Sequence, residues 1–187
     1  MAALPEVVTT PRLTLRVWRD DDAAALSDAV TRSLDHLRPW MGWAERAMSP
    51  AEAAAFIAER RARWADGGDA TYGVFADGAV AGGTGLHTRH GPATLEIGYW
   101  ICVEHVGQGY ATELSAALTD AAFSVPFVER VEIRHDAANE RSRAVPWRLG
   151  FSLASVAPEP ARAPADSGVE WTWAVSREAW AARTPER

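Results

Sequence analysis

The sequence predicts an α+β (mixed α/β) fold built as one domain over residues 1–187. Three observations carry this. Stretches of period two, typical of strands, interleave with apolar spacings of three and four, typical of helices. An Asp77-Gly78 pair, a strong hairpin signal, joins two strands in the first half. A turn of sequence Gly107-Gln108-Gly109 stands between a strand and a helix. No repeat and no linker divides the chain.

The elements follow in order. Leu13, Leu15 and Val17 alternate with Thr14, Arg16 and Trp18 and predict a strand. Asp20-Asp21-Asp22 offers helix-capping carboxylates, and Leu26, Val30, Leu34 and Leu37 then line one helix face up to Pro39. Ser49-Pro50-Ala51-Glu52 reads as a capping box with proline in the first turn, opening a helix that runs to Trp64. The hairpin strands cover 70–76 and 79–87, and a third strand covers 94–103. Leu114, Ala117, Leu118, Ala121 and Ala122 give the next helix its apolar face. Val131 and Ile133 mark a strand ending near His135-Asp136, and a helix covers 140–149. Phe151 opens the next strand, 158–168 is a Pro/Ala/Asp-rich loop, 169–175 the last strand, and 177–182 a short terminal helix.

Composition excludes several function classes. The formal charge is −6, without the basic face that general nucleic-acid binding needs, so no direct nucleic-acid partner is expected. No run approaches the roughly 20 apolar residues of a membrane span, and the chain reads as soluble and cytoplasmic. Cys102 is the single cysteine, so no intrachain disulfide can form. His87 and His90 are placed in a hairpin loop with no third ligand spaced to join them, and no metal is expected.

The glycines of Gly107-Gln108-Gly109 allow a tight turn and close approach of a ligand. The free amides and dipole of a helix start favour an anion there, which implies diphosphate binding by backbone N–H groups. A plain strand-to-helix turn is the alternative. The run lacks the terminal Gly-Lys-Ser/Thr of a P-loop, and Thr112 occupies the third glycine position of a dinucleotide fingerprint.

Read with its neighbours, Glu96-Ile97-Gly98-Tyr99-Trp100-Ile101 followed by Gly107-Gln108-Gly109-Tyr110-Ala111-Thr112-Glu113 resembles the acetyl-CoA motif of GNAT acyltransferases, in particular the RimJ/RimL-type branch that acetylates ribosomal-protein N-termini. Asn139-Glu140-Arg141-Ser142 with Leu149-Gly150-Phe151 is similar to that branch's second motif. The opening Thr10-Pro11-Arg12-Leu13-Thr14-Leu15-Arg16 and the segment His36-Leu37-Arg38-Pro39-Trp40-Met41-Gly42-Trp43 also resemble it, so the likeness covers nearly the whole chain.

The resemblance implies a twisted mixed sheet with helices on both faces. The strand ending at Val103 would part from the strand at 131–135, and the pantetheine arm of acetyl-CoA, as co-substrate, would lie in the gap against backbone groups of Ile101, Cys102 and Val103. The diphosphate would sit on amides of Gly107, Gln108, Gly109, Tyr110, Ala111 and Thr112, and Asn139 would bond the pantetheine arm. An amine acceptor would attack the thioester directly. Trp40 and Trp43 would line the amine pocket, where aromatic walls suit a peptide backbone, a flat ring or a cation.

Two departures stand out. Many family members carry Arg or Gln where this chain has Glu104, so basic help would come from Arg141 or Arg143. Many also place a proton-donating tyrosine where this chain has Pro146; Ser142, which the branch often carries, would then hydrogen-bond the departing sulfur. Glu96, in an otherwise apolar strand, is the candidate general base. Cys102 reads as a small strand residue, and His105 and His135 as packing residues flanking the cofactor region. The expected activity is N-acetylation of a protein or peptide N-terminal α-amine. A small-molecule amine acceptor and a non-catalytic acyl-CoA sensor are the alternatives. Trp171 and Trp173 on the final strand raise the option of a homodimer.

Overall fold

The computed structural model describes residues 4–183. Eight strands, β1 (Val7–Thr9), β2 (Thr14–Val17), β3 (Ala70–Ala76), β4 (Ala79–His87), β5 (Thr94–Ile101), β6 (Arg130–Asp136), β7 (Ser152–Pro158) and β8 (Val169–Ser176), form one sheet in the order β1-β2-β3-β4-β5-β6-β8-β7. Six helices accompany it among the described residues: α1 (Ala23–Arg32), α2 (Leu34–Leu37), α3 (Pro50–Ala65), α4 (Tyr110–Ser124), α5 (Glu140–Arg148) and α6 (Arg177–Ala181).

Every strand pairing is antiparallel except β5 with β6, which is parallel. That pairing runs only from Thr94 opposite Arg130 to Ile97 opposite Ile133. Beyond it, the end of β5 pairs with β4 alone and the end of β6 with β8 alone. The sheet is therefore split at its centre.

Two apolar clusters cover opposite faces, as neighbouring Val80 and Ala81 show by belonging to different clusters. The larger packs α4, α5 and α6 residues such as Leu114, Leu118, Val145 and Trp180 on Leu15, Val74, Ile97 and Ile133. The smaller packs Leu26 and Val30 of α1 and Ile57 of α3 on Trp18, Phe75 and Cys102.

Local signals predict several of these elements well. Asp77 (φ 49°) and Gly78 (φ 81°) both adopt positive φ, as a tight hairpin between β3 and β4 requires. The capping box forms at α3: the Glu52 N–H donates to Ser49 Oγ, and the Ser49 N–H to the Glu52 carboxylate at 2.8 Å. Two expectations are corrected. The helix read through Leu37 breaks at Ser33 into α1 and α2, because buried Ser33 accepts the Val103 N–H at 3.1 Å. The strand read to Val103 ends at Ile101, since Val103 opens a 3-10 turn. On β8, Trp173 is buried, and Trp171 packs on His135 and under Arg143. The sheet edge next to them, β7, is the exposed strand.

One ion pair ties the front of the sheet to the helices. Arg16 makes two bonds to Asp22, at 2.6 and 2.8 Å, and lies over the Phe75 ring. Burial alone would raise the Asp22 carboxyl, but the hydrogen bonds from Arg16 and the Arg19 N–H, with the Arg16 charge, hold it below its usual value. A lowered folded-state value means that this stabilisation is present above the unfolded carboxyl value of about 4 and is lost as pH falls through the folded one. Asp22→Asn should lower unfolding free energy by about 3 kcal/mol in urea titration at pH 7 and flatten the loss of stability below about pH 4.

Candidate active site

The site is built around the split. Cys102 donates its N–H to Ala81 at 2.9 Å, so alternation along the strand turns the backbone groups of Ile101 to the unpaired edge. Val103, expected there too, has its N–H taken by Ser33. Cys102 itself is fully buried, its carbonyl accepts from the His105 N–H, and burial pushes its thiol up to about 11. That is the state of an inert packing residue.

After the 3-10 turn (Val103–His105) the chain enters the glycine loop. Gly107 (φ 81°) and Gly109 (φ 80°) adopt left-handed conformations, and a Cβ at Gly107 would meet nothing within 4 Å. The N–H groups of Gly107, Gln108 and Gly109 donate to no acceptor among the described residues, and those of Tyr110, Ala111 and Thr112 occupy the first turn of α4, which has no intrahelical partners. Six N–H groups thus lie without backbone partners in one loop and helix start, which is what binding an anion there requires.

The opening segment, legible in the sequence only as a matching motif, braces this loop. Glu113 accepts from the Thr10 hydroxyl at 2.6 Å, the Arg12 N–H at 3.1 Å and Arg12 Nε at 2.6 Å. Burial alone would raise the Glu113 carboxyl, but these bonds hold it below its usual value. Arg12 also donates to the Gln108 carbonyl at 2.8 Å and lies over the Tyr110 ring, which stacks on His105. Glu104 is turned aside by Arg32 at 3.2 Å, so the carboxylate that departs from the family pattern does not face the loop uncompensated.

On the far side of the split, Asn139 caps α5. Its Oδ1 accepts the Ser142 N–H at 3.1 Å, which leaves its amide nitrogen free to donate to a ligand. Pro146 lies inside α5 and has no N–H for the Ser142 carbonyl four residues back. Tyr99 reaches across from β5 to that carbonyl at 3.3 Å and stands 2.9 Å from Ser142 Oγ. Burial pushes the Tyr99 phenol up to about 12, so it stays protonated. No local pattern predicts this bridge, because its two ends lie 43 residues apart.

A cleft of about 790 Å³ opens at the split and is lined by Trp40, Trp43, Glu96, Tyr99, Asn139 and Ser142 together, with Trp18, Phe56 and Trp100 on its apolar wall. Gly83, Gly85 and Gly98 form its floor; a Cβ on Gly83 would stand 2.5 Å from the Trp100 indole. Trp43 packs edge-on against Trp100 with ring centroids 6.0 Å apart. The segments around Trp40 and Arg162 meet over one end: Ala165 N–H donates to Pro39 at 2.9 Å, and a Cβ on Gly42 would stand 2.3 Å from the Arg162 carbonyl.

Glu96 lines this cleft, with its carboxylate between Arg89 at 3.4 Å and His90 Nε2 at 2.9 Å. Its surroundings are thus ionic, unlike its apolar sequence neighbours. His87 is a strand residue, not a loop residue, and its Nδ1 pairs with Asp69 at 2.9 Å. His87 and His90 go to different carboxylates, and no group of three or more potential metal ligands occurs among the described residues. Burial lowers the His135 pKa; its Nδ1 donates to the Asp136 carbonyl and its Nε2 accepts from Trp173, so neither nitrogen is open for proton transfer. Arg143 lies over Trp171, away from the glycine loop that Arg12 serves.

Comparison with known proteins agrees with this geometry. A family model for the acetyltransferase (GNAT) domain matches residues 12–152. YdaF of Bacillus subtilis (strain 168), a candidate ribosomal N-acetyltransferase, is 33% identical over 144 residues, 74% of this chain and 77% of its own. Mycobacterium smegmatis RimJ, solved with CoA-disulfide, superposes with a TM-score of 0.83 at 26% identity over 93% of this chain and 88% of that one. RimL, a ribosomal L7/L12 alpha-N-protein acetyltransferase solved with coenzyme A, shares the fold with a TM-score of 0.84 at 21% identity, over 93% of this chain and 99% of its own. The split sheet, the glycine loop and the family match together establish that the chain belongs to the GNAT acetyltransferases.

Proposed function

We propose that this N-acetyltransferase moves the acetyl group of acetyl-CoA to the α-amine of a protein or peptide N-terminus. The observation that carries the reading is one cleft holding aromatic walls, Trp40 and Trp43, and a carboxylate, Glu96, at the head of the split. An α-amine titrates near 8, so an appreciable fraction is neutral at neutral pH, whereas a lysine amine near 10.4 is almost wholly charged. The relatives named for ribosomal-protein acetylation support the same acceptor class.

In this reading the amides from Gly107 to Thr112 hold the diphosphate, and the Ile101 backbone and Asn139 hold the pantetheine arm. Glu96, the candidate base, draws the cationic amine to the split and holds it where its proton can be lost. Ser142 Oγ, which stands 2.9 Å from the Tyr99 hydroxyl, bonds the departing sulfur. The whole of 1–187 acts as one acyltransferase domain.

A small amine is the second reading, favoured by the contact of Gly42 with Arg162, which bounds one end of the cleft. Thiol release from acetyl-CoA, with products identified by mass, should be seen with N-terminal peptides. Release with small amines alone would replace the first reading with the second. Binding without release on any amine would mark a sensor.

Glu96→Gln and Ser142→Ala should each lower kcat roughly tenfold or more while acetyl-CoA affinity stays within about twofold. Unchanged turnover in both variants would remove the assigned roles. Arg12→Ala should weaken coenzyme A binding about tenfold in a calorimetric titration, because the glycine loop loses its brace to Gln108 and Glu113.

A further inference from the structure

His87 ends β4 directly opposite Glu96, and its ring lies over the glycine floor of the cleft. A Cβ on Gly85 would stand 3.0 Å from His87 Nε2, and one on Gly98 3.4 Å. Gly98 is the first residue of β5 beyond its last pairing with β6. Nε2 therefore sits at the head of the split on the acceptor face, while the next residue, Tyr99, points through to Ser142 on the other face.

The other ring nitrogen is fixed. Nδ1 donates to Asp69 Oδ2 at 2.9 Å, and Asp69 Oδ1 accepts from the Thr88 N–H at 2.9 Å and the Thr88 hydroxyl at 3.2 Å. Burial alone would raise the Asp69 carboxyl, but the bonds from Thr88 and His87 outweigh it and hold it below its usual value. A charged, thrice-bonded Asp69 keeps the proton on Nδ1 and the lone pair on Nε2. Nε2 has no hydrogen-bond partner among the described residues. By contrast, both Glu96 oxygens already face cations or donors, Arg89 and His90.

We propose that His87, oriented by Asp69, is the first recipient of the proton that the attacking amine gives up. The inference rests on the acyltransferase reading above and adds to it the group that moves the proton. Glu96 keeps the incoming ammonium beside Nε2, which takes one N–H proton and passes it to water, restoring the neutral ring. The lone pair so freed forms the C–N bond to the thioester carbonyl carbon. The C–S bond breaks with its electron pair on sulfur, and a second N–H proton, shed by the nitrogen as the amide forms, reaches that sulfur through water, so that coenzyme A leaves as the thiol. Asp69, Glu96, Arg89, His90, Arg60 and Arg134 are the charged or titratable groups on the elements around the ring.

The test uses an amine that the wild-type enzyme acetylates, at saturating acetyl-CoA, with His87→Ala, His87→Gln and Asp69→Asn. His87→Ala should lose on the order of 10²- to 10⁴-fold in kcat, with acetyl-CoA binding held within about twofold. Imidazole added to the buffer should restore part of that loss in His87→Ala, which a merely structural defect would not allow. Asp69→Asn should lose less and should move the basic-form limb of the kcat profile. A kcat for His87→Ala within about twofold of wild type would overturn the proposal. So would a loss that imidazole does not relieve and that leaves the pH limb of His87→Gln in place. A wild-type enzyme that releases no thiol with any amine would instead overturn the acyltransferase reading, and this inference with it.

Discussion

Everything at the site hangs on where β5 and β6 let go of each other. Among the described residues they are the one parallel pair in an otherwise antiparallel sheet, and they hold for four register positions, from Thr94 and Arg130 to Ile97 and Ile133. Past that point each strand keeps its outer partner, so the exposed backbone edge between them is supported from both sides. Unpaired edges inside a sheet carry unmet hydrogen bonds. A ligand that lies in the gap meets those groups, and the split is in that sense half of a binding site before anything binds.

A contact that a regular helix would not make spans the gap. In an unbroken α5 the Ser142 carbonyl would accept from residue 146, but Pro146 has no N–H to give. The carbonyl is left for Tyr99, and the phenol thereby also reaches Ser142 Oγ. The departure from the family's tyrosine thus has a structural return: a proline in that position creates the acceptor that a tyrosine on β5 occupies. The two faces of the sheet are divided in the same economical way. Odd-numbered residues of β5 and β6, such as Ile97, Val131 and Ile133, enter the large core, while Glu96, Glu132 and Arg134 face the other way into an ionic network.

Much of this was legible in the sequence where the cause is local. The Asp77-Gly78 turn, the Ser49 capping box and the glycine loop are determined by neighbours within a few residues, and their elements lie where the pattern puts them. Trp40, Trp43, Glu96, Asn139 and Ser142 lie far apart along the chain and share one cleft. What stayed hidden is set by distant contacts. β1 is three residues long and half-exposed, and only its pairing with β2 makes it a strand. The break at Ser33 answers to Val103, and the pairing of His87 with Asp69 exists because the β3–β4 hairpin folds one beside the other. Arg12 carried no catalytic pattern at all; its part is visible only from the carbonyl and carboxylate it holds.

The brace on the glycine loop also bears on how the chain acquires its site. Thr10 and Glu113 meet across 103 residues, and the split needs strands that come later still. Contacts of such long sequence separation form late, after loop-closure entropy has been met. During synthesis the opening segment emerges first and must wait for its partner on α4. A partly folded chain consequently has amides but no cradle, and nucleotide affinity arises with the native state rather than along the way. Coenzyme binding then acts on folding by mass action, drawing the population toward the finished sheet in proportion to the free ligand present.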